Sequence, residues 1–203
     1  MIIVRYADDV VFGFQYRSEA EQFLADLRER LRKFNLEIHE DKTRLIEFGR
    51  FAAKNRKRRG EGKPESFNFL GFTHICGQDR NGKFMVLRHT MRVRLRAKLR
   101  AIRQELRIRL HMPIQVIARW LRSVLRGHYN YYGVPCNGRA LSTFRFYVGR
   151  IWHRCLYRRS QRTRSNWERV NRLTKRWLPY PKIRHPYPEQ RMRVFTQGRS
   201  PVR

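Results

Sequence analysis

From residue 51 onward the chain carries 38 Lys and Arg against six Asp and Glu, and this imbalance limits what it can fold into. Like charges at that density repel one another and work against compaction unless a polyanion relieves them. So many guanidinium groups cannot be buried unpaired, so they must line the outside of whatever forms. The formal net charge of the whole chain is +31, an excess that solubility alone does not require and that points to a polyphosphate partner. A basic membrane-surface protein is the competing use, and it fits less well because no long helix separates Lys and Arg cleanly from an apolar face. No run of about 18 apolar residues exists to span a bilayer. The opening MIIVRYADD meets two acids before a secretory apolar segment could form, so the chain reads as soluble and intracellular. Cys76, Cys136 and Cys155 are far apart and odd in number, which supports reduced structural thiols rather than a zinc site or a disulfide framework.

The first 50 residues differ from the rest: ten acids meet nine Lys and Arg there. A near-neutral front joined to a basic back predicts two parts with different duties. Ile2, Ile3 and Val4 run into Tyr6-Ala7-Asp8-Asp9, and Val10, Val11, Phe12 and Phe14 follow. Two β-rich runs around a short acidic centre predict a hairpin with carboxylates at its tip. Ser18 and Glu21 have the spacing of a capping box, and Phe23, Leu24, Leu27, Leu31 and Phe34 recur at helical spacing, so residues 19–34 are expected to form an amphipathic helix on that hairpin. A strand is expected around Thr43–Phe48, then a basic loop over residues 50–65, then a strand opening at Phe67 that returns through an Asn81-Gly82 turn.

From about His89 the texture becomes helical. Met91, Leu95, Leu99, Ile102, Leu106 and Leu110 supply an apolar stripe, with Arg and Lys on the other faces. Pro113 suits the first turn of a second helix running to Leu125, with Gly127 past its end. A third helix is expected over Ala140–Tyr157, and a fourth from a Ser165/Glu168 capping box to just before Pro179. The Pro-rich, basic remainder is expected to stay extended or unfolded until bound.

Adjacent carboxylates at an exposed turn repel one another unless a cation neutralises them, and hard oxygen ligands suit Mg²⁺. An ordinary acidic turn would look the same in isolation. Within the basic helices, Trp120, Phe144, Tyr147, Trp152 and Tyr157 sit among arginines at helical spacing. That spacing fits either the core of a helical bundle or surfaces that stack on unpaired bases.

The order of motifs resembles that of the reverse transcriptases, whose Y-x-D-D sequence occupies a palm hairpin. After the YADD hairpin come Phe34-Asn35-Leu36-Glu37 and Asp41-Lys42-Thr43, similar to the next palm block. Phe69-Leu70-Gly71-Phe72 looks like the primer-grip hairpin. Gly127-His128-Tyr129-Asn130-Tyr131-Tyr132 resembles the G-x-x-N-Y-Y signature in the maturase, or thumb, domain of group II intron-encoded proteins. The resemblance implies an α+β chain: a partial reverse-transcriptase palm of short antiparallel strands and a packed helix over 1–88, an all-α thumb/maturase bundle over 89–178, and a basic Pro-rich tail over 179–203. It further implies that Asp8 and Asp9 are the catalytic pair of a two-metal Mg²⁺ site, with Asp8 the direct ligand, and that Lys42 assists the leaving triphosphate, although Lys42 also fits an ordinary solvated lysine. Tyr6 and Ala7 would lie near the template–primer, and Phe69, Leu70, Gly71 and Phe72 would hold the primer end. The thumb would grip an RNA/DNA template–primer and group II intron RNA through Arg119, Arg122, Arg126, Asn130, Tyr131, Tyr132, Arg145, Arg150, Arg154, Arg158 and Arg159.

The family also uses an earlier palm aspartate and nucleotide-holding fingers, which would precede Y-x-D-D in its order; here only Met1–Arg5 do. The Mg²⁺ site is thus expected to be incomplete in this chain. The chain is expected to be a fragment, inactive in polymerisation unless a complementary N-terminal piece supplies the rest. Apolar surface is expected to be exposed on the hairpin. The implied function is the C-terminal portion of a group II intron-type RNA-directed DNA polymerase and maturase, in a bacterial cytoplasm. The alternative is a non-catalytic RNA-binding splicing factor derived from such a protein.

Overall fold

β-branched and aromatic residues on both sides of Ala7-Asp8 pair as an antiparallel hairpin. Strand β1 (Ile2–Tyr6) meets β2 (Asp9–Gly13) in a register from Ile2 opposite Gly13 to Tyr6 opposite Asp9. The computed structural model describes residues 1–159 and 167–187. The chain divides into two compact units between Glu65 and Ser66.

In the first unit, helix α1 (Arg17–Arg32) packs on the hairpin through Phe23, whose ring lies 4.7 Å from that of Phe12 and 5.2 Å from that of Phe14. The expected capping box does not form. The helix starts one residue before Ser18, and Glu21 instead accepts a hydrogen bond from Arg17 Nε at 2.7 Å, an i,i+4 pair within the helix. Residues 43–48 are not a strand either. A strand needs a ladder partner, and the hairpin remains a two-stranded sheet. Glu47 anchors the next segment, accepting hydrogen bonds from Asn55 Nδ2 and from Arg59. Residues 50–65, expected as a loop, contain helix α2 (Ala52–Arg58), built from good helix formers and with Ala52 buried. Arg59 and Arg56 both pair with Glu61, and the hydrogen bond from Arg59 holds the Glu47 carboxyl below its ordinary range. Little of this unit is buried. Ile2 is 70%, Ile3 55% and Tyr6 64% exposed, as expected of a hairpin without further strands beside it.

Among its described residues the second unit holds a three-stranded antiparallel sheet and four helices. The strands are β3 (Phe67–Phe69), β4 (Phe72–Gln78) and β5 (Phe84–Thr90), in the order β3-β4-β5. The strand expected through Phe67–Phe72 is therefore broken, because Leu70 and Gly71 form a tight turn. Asp79 Oδ1 accepts hydrogen bonds from the backbone N–H groups of Asn81 and Lys83, both at 2.8 Å, and closes the second hairpin. The sheet, expected with the first part of the chain, folds with the helices. Asn137, 1% exposed, accepts the Thr90 N–H at 2.9 Å and donates to Thr90 Oγ1 and to the Tyr132 carbonyl, each at 2.8 Å.

Helices α3 (Arg92–Ile108), α4 (Ile114–Tyr132), α5 (Gly138–Arg158) and α6 (Trp167–Trp177) follow. Ile102 and Leu106 of α3, Leu121, Leu125 and Tyr129 of α4, and Phe144, Val148 and Trp152 of α5 form one core with Leu178. Helix α4 runs straight through Gly127 rather than stopping there. Its buried stripe continues from Leu125 to His128 and Tyr129, and that packing outweighs the roughly 1 kcal/mol a mid-helix glycine costs. Ser165 lies outside the described residues, as does the tail beyond Tyr187. The part of the tail that is described is tied down rather than free. Tyr129 donates to the Pro179 carbonyl at 3.1 Å, and the Arg184 and His185 N–H groups donate to the Gly133 carbonyl at 2.7 and 3.0 Å. Gly133 permits this approach, since a Cβ there would lie 3.1 Å from both the Arg184 nitrogen and the Lys182 carbonyl oxygen. Among the described residues the three cysteines form no disulfide. No described helix is long and apolar enough to cross a membrane.

Candidate functional site

The YADD segment forms the tip of the first hairpin, with Ala7 and Asp8 as the two loop residues between the paired Tyr6 and Asp9. Ala7 has φ +49° and Asp8 is not in the left-handed region, the sign pattern of a type II′ turn. Holding alanine there costs on the order of 1 kcal/mol, and such strain concentrates at functional sites. Arg5 Nε donates to the Ala7 carbonyl at 3.1 Å and braces the turn. Asp8 and Asp9 are both exposed, and neither enters an ion pair among the described residues. Two adjacent, solvated carboxylates fit Mg²⁺, which usually keeps several waters and takes one or two protein carboxylates. No group of three or more His, Cys, Asp or Glu side chains capable of holding a metal occurs among the described residues. Lys42 ends a short 3₁₀ turn (Glu40–Lys42), is exposed, and forms no ion pair with the two aspartates.

The second unit presents another tight turn. Leu70 (φ +49°) and Gly71 (φ +77°) connect the paired Phe69 and Phe72, with the two positive φ values of a type I′ turn. The end of helix α4 holds this turn in place. The Tyr131 hydroxyl donates to the Leu70 carbonyl at 2.8 Å, Phe72 stacks on Tyr131 with centroids 5.8 Å apart, and Tyr132 meets Phe72 edge-on at 5.1 Å. A Cβ on Gly71 would lie 2.9 Å from the Tyr132 hydroxyl oxygen, so glycine is needed there for room as well as for conformation. Two motifs that sequence spacing treats separately, FLGF and GHYNYY, are thus halves of one structural device.

The basic side chains fall into rows. Arg119, Arg122, Arg126 and Asn130 are exposed at i, i+3, i+7 and i+11 on α4, one face of the helix. Arg150, Arg154 and Arg158 are exposed on α5. Two of the expected contact residues are committed to the fold itself. Arg145 Nη2 donates to the Thr174 and Leu178 carbonyls at 3.3 and 3.2 Å, capping the end of α6, and its guanidinium lies 4.0 Å over the Tyr180 ring. Arg159 Nη1 donates to the Met112 carbonyl at 2.8 Å. Tyr131 is half exposed, whereas Tyr132 is partly buried against Phe72 and His128.

Residue-by-residue reading missed the longest row. Arg92, Arg96, Arg100, Arg103 and Arg107 of α3 are all exposed and share one helix face over about 22 Å. Their i, i+4, i+8, i+11, i+15 spacing was the available signal. The aromatics also divide. Phe144 and Trp152 are fully buried, whereas Tyr147 is 44% and Tyr157 60% exposed. Trp120 is partly buried, with the Arg109 guanidinium 5.0 Å from its ring.

Residues 1–74, about a third of the chain, match the family model described as reverse transcriptase (RNA-dependent DNA polymerase), so this stretch is similar to that family. The matched stretch contains the acidic hairpin, α1, Lys42 and the Leu70-Gly71 turn. No curated protein and no solved structure matches the chain.

Proposed function

We propose that the chain is the portion of a group II intron-type RNA-directed DNA polymerase and maturase that carries the catalytic acidic hairpin and the RNA-gripping helices. The observation that carries this reading is the pair Asp8-Asp9 at the strained tip of a hairpin inside the matched segment. Asp8 and Asp9 would hold Mg²⁺, which when bound supplies Lewis-acid stabilisation for nucleotidyl transfer. Tyr6 and Ala7, as the turn's other residues, would face the template–primer, and Lys42 would neutralise charge on the leaving phosphates. The Phe69–Phe72 turn, rigidified by Tyr131 and Tyr132, would support the primer end. The exposed arginine rows of α3, α4 and α5 would track phosphates of intron RNA and template–primer without reading sequence.

Nucleotidyl transfer needs a further metal-binding carboxylate, which is not grouped with the pair among the described residues. That observation favours a second reading, an RNA-binding splicing factor in which the hairpin does no chemistry. Primer extension on an RNA template with Mg²⁺ separates the two, run on the full chain with and without added palm and fingers of a group II intron protein. The polymerase reading expects extension only in the complemented sample, and its loss on Asp8→Asn. Extension that survives Asp8→Asn would remove Asp8 from the chemistry, and RNA binding with no extension in any sample would leave the splicing factor.

A further inference from the structure

Helix α5 turns two faces to its surroundings. Leu141, Phe144, Val148, Ile151, Trp152 and Cys155 go into the core. The outward face carries Phe146, Tyr147, Arg150, Arg154, Tyr157 and Arg158, all exposed. Three large rings left in solvent on one helix face are unusual, since burying each would be favourable. They do not resemble a site for an apolar protein surface. Guanidinium groups alternate with the rings, the Arg150 guanidinium lies 5.7 Å over the Phe146 ring, and the sequence of α5 contains no Asp or Glu at all. Phe146 and Tyr147 meet edge-on, with centroids 5.5 Å apart, a contact that uses one face of one ring only, and both side chains remain exposed. From Phe146 to Tyr157 the axial distance is about 16 Å, room for a few successive nucleotides.

On the strength of the nucleic-acid reading above, we infer that this face of α5 binds unpaired nucleotides: Phe146, Tyr147 and Tyr157 stack on bases while Arg150, Arg154 and Arg158 neutralise the adjoining phosphates. Rings accept any base because every base has a π-face, so the site selects single strands over duplexes rather than one sequence over another. A paired base hides both faces in the helical stack and has nothing to offer these rings. The α3 and α4 rows are arginine without exposed rings between them, apart from Tyr131 near the end of α4, and suit backbone contact of either kind.

The test compares binding of the full chain to a 12-nucleotide single-stranded RNA, the same strand with abasic positions, and the corresponding duplex, by fluorescence anisotropy. Phe146→Ala with Tyr157→Ala should weaken the intact single strand by about tenfold or more. The same double variant should leave the duplex and abasic strands within about twofold. Phe146→Trp with Tyr157→Trp should retain single-strand affinity and show fluorescence quenching on binding. Both side chains are exposed, so an unchanged thermal midpoint confirms that folding is intact. Equal losses on single strand and duplex, no loss on either, or a loss confined to anionic lipid vesicles would overturn the stacking site while leaving RNA binding standing. Failure of every RNA to bind at 50 mM salt would instead overturn the nucleic-acid reading on which the site rests.

Discussion

His128 lies in the core of the second unit, 7% exposed, stacked on Phe144 at 3.8 Å between centroids and tilted against Tyr132 at 4.6 Å. Its Nε2 is buried without a hydrogen-bond partner among the described residues. Burial, helped by the nearby Lys98 charge, pushes its pKa down to about 4. Between pH 6.5 and 4 the unfolded chain therefore takes up a proton that the folded chain refuses. Stability from this residue is complete above pH 6.5 and falls as the pH drops toward 4, by about 2 kcal/mol at pH 5. His74, also lowered by burial, acts in the same direction. Thermal unfolding at pH 7 and pH 5, at fixed ionic strength, should show a drop that His128→Phe reduces; an identical drop in the variant would clear His128. At this scale the sequence was unevenly legible. The aspartate pair announced itself by motif, but His128 and Asn137 did not, because their roles depend on partners 16 and 47 residues away, Phe144 and Thr90. Phe144 and Phe146, two positions apart, meet opposite fates because two residues turn a helix by more than half a circle.

At the scale of elements, the end of α4 and the β3–β4 turn behave as one piece. Removing the Tyr131 hydroxyl leaves the rings stacked and deletes only the bond to the Leu70 carbonyl. Tyr131→Phe should therefore cost about 1 kcal/mol or less in global stability, because Tyr131 is 52% exposed and water can replace the lost donor. The local effect should be larger. Hydrogen exchange at the Leu70, Gly71 and Phe72 amides should speed up several-fold while exchange in the α5 core stays as it was. Unchanged exchange would mean that Phe72 packing alone holds the turn. The elements that were legible in sequence carry strong local signals: the β-branched runs of β1 and β2, the Asn81-Gly82 turn, and the apolar stripe of α3. Those that were not were decided at a distance. Residues 43–48 have strand-like composition but no ladder to join, Glu47 draws Asn55 and Arg59 into α2, and Gly127 is carried through by the packing of His128 and Tyr129.

At the scale of the whole molecule, charge is the governing quantity. Several acids of the first unit pair with bases of the same unit: Glu21 with Arg17, Glu47 and Glu61 with Arg59, Glu65 with Arg44. In the second unit the described acids neutralise few bases, and Glu105 is spent on Arg109. The rows on α3, α4 and α5 therefore keep their field, and the proposed RNA partner would bring negative charge at a density that releases counterions on binding. Several phosphate contacts imply that affinity for RNA falls roughly a thousandfold between 50 and 200 mM salt. Replacing Arg96, Arg100 and Arg103 together by alanine removes three contacts from one row. On a double-logarithmic plot the salt slope should then become shallower by about two to three, with equal weakening on unrelated RNA sequences. All three side chains are exposed, so the thermal midpoint should not fall, and relief of mutual repulsion should raise it slightly. A slope that stays the same would place the phosphate track on α4 or α5 instead of α3. An affinity indifferent to salt in the wild-type chain would remove the polyanion partner, and with it the reason for the exposed arginine rows.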